Sequence, residues 1–454
     1  MGAFHAYDIR GIYNVDFDRE TAYKVGYFLP SLLDAKEVLV GRDCRTSSQE
    51  IHDSLIAGIT DAGADVYDAG LSSTPMVYFG TANYGFKASV QITASHNPAE
   101  YNGMKVSREN ALPVGLDTGL GQIKAWIEEG RPTPPCEVKG KVYAKDIHQD
   151  YVAFLNKYKG DYSGLRIAMD CSNGMASLYV RDIYGDQPSY IFDELDGRFP
   201  NHEPNPLIPK NVEPLKRLVR ETGADIGVIF DGDADRVMFV DEQARFVAPD
   251  LIIALMAYYF YDERGESNKR VLQEIRSSKA VGEFLASYGV EMHTWRVGRA
   301  FAAPKLREID GLWGGELAGH YYFKDFFYSD SGLLASIIVL RIVAALKKQG
   351  RTLGGEIDKL TRYRNSGEIN FRVEDKKGAM DAVCDHFRAE SEPVAFMDFD
   401  GYRLEYGDWW FNIRPSNTEP YLRFICEAVT DEVLEEKIGV VQEIIEQRFG
   451  GTRV

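Results

Sequence analysis

The sequence predicts an α/β protein with three similar α/β domains, built on mixed sheets, and a smaller C-terminal α+β domain. Two observations support this prediction. An apolar strand, a polar loop and an amphipathic helix recur three times along the chain, and the last part departs from that pattern. With 454 residues, 44% of them hydrophobic and 27% charged, the chain has the length and composition of several globular domains.

The first unit begins with an apolar strand at residues 38–40 and a polar loop at residues 41–46. Ser47 and Glu50 have the spacing of a capping box at the start of the helix that follows. One face of that helix carries four apolar residues, Ile51, Leu55, Ile56 and Ile59.

Two later segments repeat the unit. Residues 167–169 form an apolar strand before the polar loop 170–174, and residues 271–272 precede the polar loop 274–278. In open α/β sheets, binding sites form at the strand ends. We therefore expect functional loops at the same edge of each sheet.

Changes in composition indicate four domains. A stiff proline-rich connector covers residues 131–135, and further changes occur near Pro249 and at residues 362–367. The closing helix carries apolar residues on one face (Leu434, Ile438, Val441 and Ile445) and should end at Gly450. The predicted domains are residues 1–147, 148–248, 249–364 and 365–454.

Charge and hydropathy exclude several classes of protein. The net charge of −17 argues against nucleic acid or an anionic membrane as the main partner. The longest apolar runs, residues 251–260 and 333–340, are too short to span a bilayer and are expected to be core helices. The N-terminus lacks a recognisable targeting signal, and the five scattered cysteines form no CxxC pair. We expect a cytoplasmic protein with reduced thiols.

The run Thr-Ala-Ser-His-Asn-Pro at residues 93–98 follows an apolar strand that contains Val90 and Ile92. Asn-Pro favours a polar turn, which would project the Ser95 hydroxyl from the sheet edge. His96 has no orienting carboxylate within the motif, so an unmodified serine would be a poor nucleophile. A phosphorylated Ser95 would instead need a metal ion and cationic groups.

A candidate metal loop follows the apolar strand at residues 226–230. Asp231, Asp233 and Asp235 alternate along it, and their charges would repel unless a cation neutralised them. With Glu242, their spacing also fits a calcium loop of the EF-hand type. That loop needs glycine where Arg236 stands, and it is flanked by helices, whereas the segments here have the pattern of strands. Three carboxylate ligands that leave positions open for a phosphate oxygen favour Mg²⁺.

Together with two later segments, these motifs resemble the α-D-phosphohexomutase family. Residues 314–320 (Gly-Gly-Glu-Leu-Ala-Gly-His) are similar to the family's sugar-binding loop, and residues 414–420 (Arg-Pro-Ser-Asn-Thr-Glu-Pro) to its phosphate-binding loop. All four motifs occur in the family's order. The resemblance implies four domains around a central cleft, with a phosphoserine at Ser95 that shares Mg²⁺ with the aspartate loop.

Two of these loops contain candidate substrate ligands. A fixed cation and polar side chains make the last loop an anion cradle for the non-reacting phosphate, with candidates Arg414, Ser416, Asn417 and Thr418. Glycines favour a loop rather than a helix at residues 314–320, where Glu316 and His320 are expected to face the sugar. Ala318 stands where the family often has serine, which puts one hydrogen bond to the sugar in doubt.

The resemblance also implies roles for several basic residues. Arg10, in the segment Tyr-Asp-Ile-Arg-Gly at residues 7–11, is expected to reach the phosphoserine. Lys105 is expected to stabilise the transferring group or to accept a proton from the sugar hydroxyl. His96 and Arg236 complete the catalytic set. The segment Arg-Val-Gly-Arg places Arg296 and Arg299 as candidate contacts of substrate phosphate.

The implied reaction moves a phosphoryl group between the 1- and 6-positions of a hexose phosphate through a hexose 1,6-bisphosphate. The last loop, with Asn417 rather than glycine, resembles that of phosphomannomutases and dual phosphomannomutase/phosphoglucomutase enzymes. This resemblance implies mannose and/or glucose as the sugar, with phosphoglucosamine mutase as the alternative. A non-catalytic sugar-phosphate-binding homologue would be expected to lose Ser95 or an aspartate, and a Mg²⁺ phosphatase would need a base that activates water. The expected partner is a small-molecule hexose phosphate, and the chain is expected to be a monomer or homodimer.

Overall fold

The computed structural model describes residues 2–416 and 420–454, which form four β-sheets with their helices in the order of the chain. Asn417 and Thr418, two of the predicted phosphate ligands, lie outside the described residues. Within the described ranges, no helix is both long and apolar enough to cross a membrane.

The first sheet has the strand order β1-β5-β4-β2-β3-β7, with β6 paired to β5. Its strands are β1 (Ile9–Ile12), β2 (Glu37–Arg42), β3 (Asp65–Leu71), β4 (Ala88–Ile92), β5 (Tyr101–Arg108), β6 (Leu112–Pro113) and β7 (Val142–Ala144). The helices are α1 (Arg19–Leu33), α2 (Ser48–Asp61), α3 (Thr74–Tyr84) and α4 (Leu120–Glu128), with 3₁₀ turns at Glu109–Ala111 and Leu116–Thr118.

Helix α2 buries Ile51, Leu55 and Ile59, as its sequence pattern predicted. The predicted capping box was wrong, because the Ser47 side chain makes no cap hydrogen bond. Its hydroxyl instead accepts a hydrogen bond from Asn102 Nδ2 at 2.8 Å. A tertiary contact has therefore replaced the local one.

The second sheet has the order β12-β11-β10-β8-β9. Its strands are β8 (Ile167–Asp170), β9 (Ser189–Ile191), β10 (Ile226–Phe230), β11 (Val237–Asp241) and β12 (Phe246–Val247). Its helices are α5 (His148–Asn156), α6 (Val180–Tyr184) and α7 (Pro209–Thr222), with a 3₁₀ segment at Met175–Leu178.

The third sheet has the order β14-β13-β15-β16-β17. Its strands are β13 (Arg270–Glu274), β14 (Glu291–Trp295), β15 (Trp313–Gly315), β16 (Tyr321–Phe323) and β17 (Ser329–Asp330). Its helices are α8 (Pro249–Leu255), α9 (Lys279–Ala286), α10 (Arg299–Glu308), α11 (Gly332–Lys348) and α12 (Leu353–Leu360), with a π-helical segment at Tyr258–Glu263 and a 3₁₀ turn at Lys324–Phe326.

The fourth sheet is antiparallel, with the order β20-β21-β22-β23-β19-β24 and β18 paired to β23. Its strands are β18 (Arg364–Asn365), β19 (Ile369–Arg372), β20 (Ala395–Met397), β21 (Tyr402–Glu405), β22 (Trp409–Pro415), β23 (Tyr421–Ala428) and β24 (Thr452–Arg453). Two helices, α13 (Lys376–Glu390) and α14 (Asp431–Phe449), cover it, and α14 ends at Gly450 with a φ of 62°. The predicted fold class is confirmed.

One topological feature recurs in the first three domains. Each sheet has parallel pairs on one side and antiparallel pairs on the other, and a single hairpin joins the two parts: β4–β5, β10–β11 and β15–β16. These hairpins carry Ser95, the Asp231–Asp235 loop and the Glu316–His320 loop, respectively. The same position in each sheet therefore supplies one candidate functional loop.

The first three domains share one hydrophobic core, the first domain has a second core in addition, and the fourth domain has only its own. The shared core includes Phe79, Phe230 and Trp313, one from each of the first three domains, and the core of the fourth domain includes Phe371 and Phe411. Both are composed mainly of fully buried side chains. The fourth domain therefore packs as an independent unit.

Polar contacts join the third and fourth domains. The Arg403 guanidinium is 1% exposed, stacks on Trp410 and donates to the carbonyl oxygens of Ile275 (2.7 Å) and Ser277 (2.6 Å). Beside it, the Ser278 hydroxyl donates to Glu427 Oε2 at 2.7 Å. The segment after β13 therefore anchors the fourth domain.

A buried carboxyl group makes this region sensitive to pH. Asp250 accepts hydrogen bonds from the backbone N–H of Ser278 and Leu251. Burial, and secondarily the charge of Glu427, raise the pKa of Asp250 to about 7. The ordinary aspartate value is about 3.9, so the folded state binds this proton more tightly than the unfolded state does. The resulting stabilisation of the folded state is complete at pH values below the ordinary aspartate pKa. It is lost as the pH rises through the pKa of Asp250 in the folded state.

We therefore expect Asp250 to lower the free energy of unfolding by about 2 kcal/mol between about pH 5.5 and about pH 8. Asp250→Asn should remove that part of the pH dependence of the thermal midpoint. Asp358→Asn, which changes a largely exposed carboxylate, is the control. Equal pH dependence in the wild type and in Asp250→Asn would contradict the assignment.

Candidate active site

The hairpins of the first and second domains meet at Ser95. The Ser95 hydroxyl is 1% exposed and donates to Asp231 Oδ2 at 2.7 Å. A Cβ atom at Gly232 would lie 2.4 Å from the Ser95 carbonyl oxygen, so only glycine permits this approach of the two loops. The predicted phosphoserine and metal loops are thus in direct contact.

An arginine that the sequence analysis did not single out holds the Ser95 loop. Arg45 follows β2 and donates through Nη2 to the carbonyl oxygens of Ser95 (2.9 Å) and Asn97 (2.6 Å). Its Nη1 donates to those of Pro98 (2.6 Å) and Tyr101 (3.0 Å). One planar guanidinium therefore fixes four carbonyl groups of the loop.

This clamp is itself braced and supports a strained residue. Asp43 pairs with the Arg45 Nε atom at 3.2 Å and accepts a hydrogen bond from the Ser48 hydroxyl. Ser95 has a φ of 52°, a left-handed conformation that few non-glycine residues adopt. The surrounding hydrogen bonds must hold this conformation.

The aspartate loop has the donors of a cation site. Asp231, Asp233 and Asp235 are buried, and each offers an oxygen within 4.8 Å of the others. Within the described part of the chain, Asp233 Oδ1 and Asp235 Oδ1 have no hydrogen-bond partner. Burial, then repulsion by the other two carboxylates, raise the pKa of Asp231 well above its usual range. An oxygen-binding divalent cation fits this donor set.

The strands on either side of this loop decide between the two metal loops considered from the sequence. The loop joins the antiparallel strands β10 and β11, which pair from Phe230 with Val237 to Ile226 with Asp241. An EF-hand would place helices there. The calcium-loop alternative is therefore excluded.

Predicted catalytic cations surround the two loops. Lys105 Nζ lies 2.7 Å from Asp233 Oδ2 and 2.6 Å from Asp235 Oδ2. Burial by itself would lower the pKa of Lys105, but these two carboxylates outweigh it and raise the pKa. Arg10 Nη1 donates to Asn97 Oδ1 at 2.8 Å. Both cations thus reach the Ser95 region from the first sheet.

His96 lies beside the Ser95 hydroxyl but is a weak proton acceptor. Its Nδ1 is 3.4 Å from Ser95 Oγ. Burial, followed by the charges of Arg236, Arg10 and Lys105, lowers the pKa of His96 well below its usual range. The imidazole is therefore neutral at physiological pH.

The third hairpin brings the predicted sugar loop to the same region. It is a turn, as its glycines predicted, and Gly319 has a φ of 84°. Glu316 is buried, accepts a hydrogen bond from the Tyr322 hydroxyl at 2.6 Å and has a pKa raised by burial. Ala318 is half-buried. The Leu317 N–H donates to Glu274 Oε1 at 3.1 Å, which ties the loop to the segment after β13.

His320 has protein partners on both ring nitrogens. Nδ1 lies 2.6 Å from Asp330 Oδ2, and Nε2 accepts from Arg236 Nε at 2.8 Å. Arg236 Nε is also 3.9 Å from Asp231 Oδ2 and 4.0 Å from Asp235 Oδ1. The ring therefore connects the third domain to the aspartate loop.

The two arginines of the 296–299 segment have different surroundings. Arg299 stacks on Tyr78 at 3.7 Å, and it donates to Asp330 Oδ1 (2.9 Å) and to the Ala111 carbonyl (2.8 Å). Its contacts join the first and third domains. Arg296 stacks on Phe301 at 3.8 Å and is half-buried.

The phosphate-loop candidate begins at the end of β22. Arg414 is buried, and its Nη1 lies 3.4 Å from Asp400 Oδ1. Burial, followed by the nearby charge of Arg276, lowers the pKa of Arg414. Asp400 Oδ2 also accepts from the Val297 N–H at 2.9 Å. Asp400 therefore links this loop to the Arg296 segment, and the Ser416 N–H closes the hairpin on the Tyr421 carbonyl at 2.9 Å.

Three residues of the site were missed from the sequence: Arg45, Asp330 and Asp400. Arg45 lies in the polar loop of the first repeated unit, so its position after a strand was a usable signal. Asp330 and Asp400 belong to no recognised motif. They enter the site only through tertiary contacts with other loops, Asp330 with His320 and Asp400 with Val297.

Family models match four consecutive parts of the chain. The descriptions are phosphoglucomutase/phosphomannomutase alpha/beta/alpha domain I for residues 1–133, domain II for residues 141–244, domain III for residues 248–363, and the C-terminal domain for residues 368–441.

Whole-chain relatives agree with these matches. A phosphomannomutase from Methanocaldococcus jannaschii is 34% identical over 450 residues, which cover 97% of each chain. One from Escherichia coli K12 is 33% identical over 448 residues, covering 96% of this chain and 97% of the relative. A crystal structure of a phosphoglucomutase/phosphomannomutase family protein from Burkholderia thailandensis superposes with a TM-score of 0.87 at 26% identity, covering 98% of this chain and 97% of that chain. The chain therefore belongs to the phosphoglucomutase/phosphomannomutase family of isomerase-class phosphotransferases, as its four motifs predicted.

Proposed function

We propose that this phosphohexomutase moves a phosphoryl group between the 1- and 6-positions of a mannose and/or glucose phosphate, with Ser95 as the phosphoryl carrier and a hexose 1,6-bisphosphate as the intermediate. The main support is the environment of Ser95 Oγ, which is buried and donates a hydrogen bond to Asp231 Oδ2 at 2.7 Å. Lys105 lies against the same carboxylate loop, and Arg236 belongs to it. A phosphoryl group on this oxygen would face both a cation site and fixed positive charges.

A phosphoryl carrier fits this setting better than an unmodified serine nucleophile. The hydroxyl donates to a carboxylate, not to a base oriented by a third group, and the lowered pKa of His96 makes it a poor general base. The phosphoserine donates its group to the free hydroxyl of the substrate. After the bisphosphate turns around, Ser95 takes back the other phosphoryl group.

Asp231, Asp233 and Asp235 would hold Mg²⁺, together with an oxygen of the phosphorylated Ser95. When bound, this ion neutralises charge on the phosphoryl oxygens. Asp233 Oδ1 and Asp235 Oδ1, which have no hydrogen-bond partner among the described residues, support this assignment. They are the hard oxygen donors that Mg²⁺ prefers.

The remaining predicted residues divide between transfer and binding. Arg10, Lys105 and Arg236 stabilise the transferring group. Lys105 keeps both roles predicted from the sequence, electrostatic stabilisation and proton transfer, and its contacts with Asp233 and Asp235 place it beside the cation site. Binding of the sugar and its non-reacting phosphate involves the loops that contain Glu316, Ala318, Arg296, Arg414, Ser416, Asn417 and Thr418.

The phosphomannomutase names of the relatives support mannose phosphate as a substrate. Coupled assays with mannose 1-phosphate, glucose 1-phosphate and glucosamine 1-phosphate, each with and without the matching 1,6-bisphosphate, test the choice of sugar. A preference for glucosamine 1-phosphate would replace this choice by the alternative. A monomer or homodimer, cytoplasmic location and the four domain boundaries stay predictions.

The carrier role of Ser95 predicts a covalent signature. Intact-mass analysis of the purified protein should show a fraction heavier by one phosphoryl group. Ser95→Ala should lose that fraction together with nearly all mutase activity. Ser336→Ala, which removes another buried hydroxyl, should keep both. Full activity in Ser95→Ala would exclude the phosphoserine mechanism.

The cation site predicts that Asp233→Asn weakens Mg²⁺ binding in calorimetric titration and lowers kcat. The thermal midpoint should not fall in parallel, because the change removes one of three mutually repelling charges. Asp241→Asn changes a buried carboxylate outside the loop and should keep Mg²⁺ affinity. Equal activity in excess EDTA and in Mg²⁺ would show that the metal assignment is wrong.

The Arg45 clamp predicts a loss of turnover without a matching loss of substrate affinity. In Arg45→Lys, the ammonium keeps the charge beside Asp43 but cannot hold four carbonyl groups in one plane. Since small displacements of a reacting group cost about 100-fold in rate, we expect kcat to fall by about that factor. Phosphorylation of Ser95 by the bisphosphate should slow equally.

Arg42→Lys, which changes the last residue of β2, is the matched control for Arg45→Lys and should retain normal turnover. KM should change by less than about threefold in both variants. If Arg45→Lys keeps the wild-type kcat, the clamp has no role in positioning Ser95.

A further inference from the structure

Four side chains from two domains form a continuous chain of hydrogen bonds beside the aspartate loop. Arg299 Nε donates to Asp330 Oδ1 at 2.9 Å, and Asp330 Oδ2 lies 2.6 Å from His320 Nδ1. At the other side of the ring, Arg236 Nε lies 2.8 Å from His320 Nε2. Asp330 is fully buried on β17. Arg236 belongs to the aspartate loop of the second domain.

The donors and acceptors in this chain allow one arrangement of hydrogens. An arginine Nε carries a hydrogen and cannot accept, so His320 Nε2 must present its lone pair to Arg236. In the neutral ring, the hydrogen then lies on Nδ1 and is donated to Asp330. The opposite tautomer would place two N–H groups against each other at one end and two acceptors at the other. Both neighbours therefore select the Nδ1–H form.

The ring in turn fixes the direction of Arg236. Its Nε is committed to His320, and its backbone N–H is held by Asp231 Oδ1 at 3.2 Å. The two terminal nitrogens of Arg236 make no hydrogen bond to any residue that the structure describes. They remain available for a bidentate contact with phosphoryl oxygens.

We propose that Asp330 is a positioning residue, which acts through the tautomer and orientation of His320 to hold the guanidinium of Arg236 toward the transferring phosphoryl group. This inference rests on the proposed function only for the identity of that group. It gives His320 a connecting role within the protein in place of the sugar contact expected from the sequence. Asp330 itself contacts no substrate.

Asp330→Asn tests this role because an amide can satisfy only one of its two neighbours. If its oxygen accepts from Arg299, its NH₂ faces His320 Nδ1 and forces the hydrogen to Nε2, against Arg236. If it is flipped, the NH₂ opposes the Arg299 N–H. We expect kcat to fall by about 100-fold, with KM changed by less than about threefold.

The tautomer can be read directly and without an assay. In the Mg²⁺-loaded protein labelled with ¹⁵N-histidine, the His320 signals, assigned by their loss in His320→Gln, should show a protonated Nδ1 and an unprotonated Nε2. Asp330→Asn should shift this pattern toward the Nε2–H form. A wild-type His320 with its hydrogen on Nε2 would overturn the inference, whether or not any variant folds or the protein is a mutase.

A double-mutant cycle separates positioning from a general loss of structure. Arg236→Lys lacks the Nε that His320 orients, so adding Asp330→Asn to it should lower kcat little further. If the double variant loses kcat by the product of the two single-variant factors, the proposed action through Arg236 is overturned. Glu356→Gln, which changes another buried carboxylate paired with an arginine in the third domain, should leave kcat unchanged.

Discussion

Three carboxylates buried on one turn impose the main constraint on this molecule. The carboxylates of Asp231, Asp233 and Asp235 are buried, and each offers an oxygen within 4.8 Å of the others. Uncompensated like charges are strongly unfavourable in such a buried position. Two cations compensate these charges: Lys105 from the first domain and Arg236 from the loop itself. Since the first of these cations comes from another domain, the charge balance holds two domains together at one point, and the His320–Arg236 contact adds the third.

The sheets place these groups by repetition of one design. In each of the first three domains, the hairpin between the parallel and antiparallel parts of the sheet carries the candidate functional loop. A neighbouring parallel strand supports this loop through its last residue or the loop that follows it. Arg45 after β2 holds the Ser95 hairpin, the Ser172 hydroxyl after β8 donates to the Phe230 carbonyl at 2.6 Å, and Glu274 at the end of β13 accepts from the Leu317 N–H. A loop that must hold a reactive group is therefore braced by a neighbouring strand end of its own sheet.

How far the sequence predicts the site depends on how local each signal is. The Ser95 turn and the alternating aspartates are encoded within six residues each, and the structure places both where the strand pattern predicted. The repeated unit is also detectable in the sequence, but it marks β2, β8 and β13, which precede the supporting loops. The functional loops follow the neighbouring strands of the same sheets, β4, β10 and β15. Asp330 could not be found from the sequence, because its role depends on contacts with Arg299 and His320 that form only in the folded third domain. His320 in turn meets Arg236 only after the second and third domains have folded together. Ser47 shows the same limit, since a distant Asn102 replaces its predicted cap.

Separate packing of the fourth domain gives a physical reason for dividing the two tasks of the proposed reaction. The transfer groups lie on strands that pack either in the first domain's own core or in the core that the first three domains share, so close packing fixes their spacing. Arg414 instead belongs to a domain with its own core, which is joined to the third domain by hydrogen bonds such as those of Arg403. A bisphosphate that turns around must present either phosphate to Ser95 while the other is held. A rigid transfer centre and a separately packed phosphate loop meet that requirement without any change in the charge balance around the aspartates.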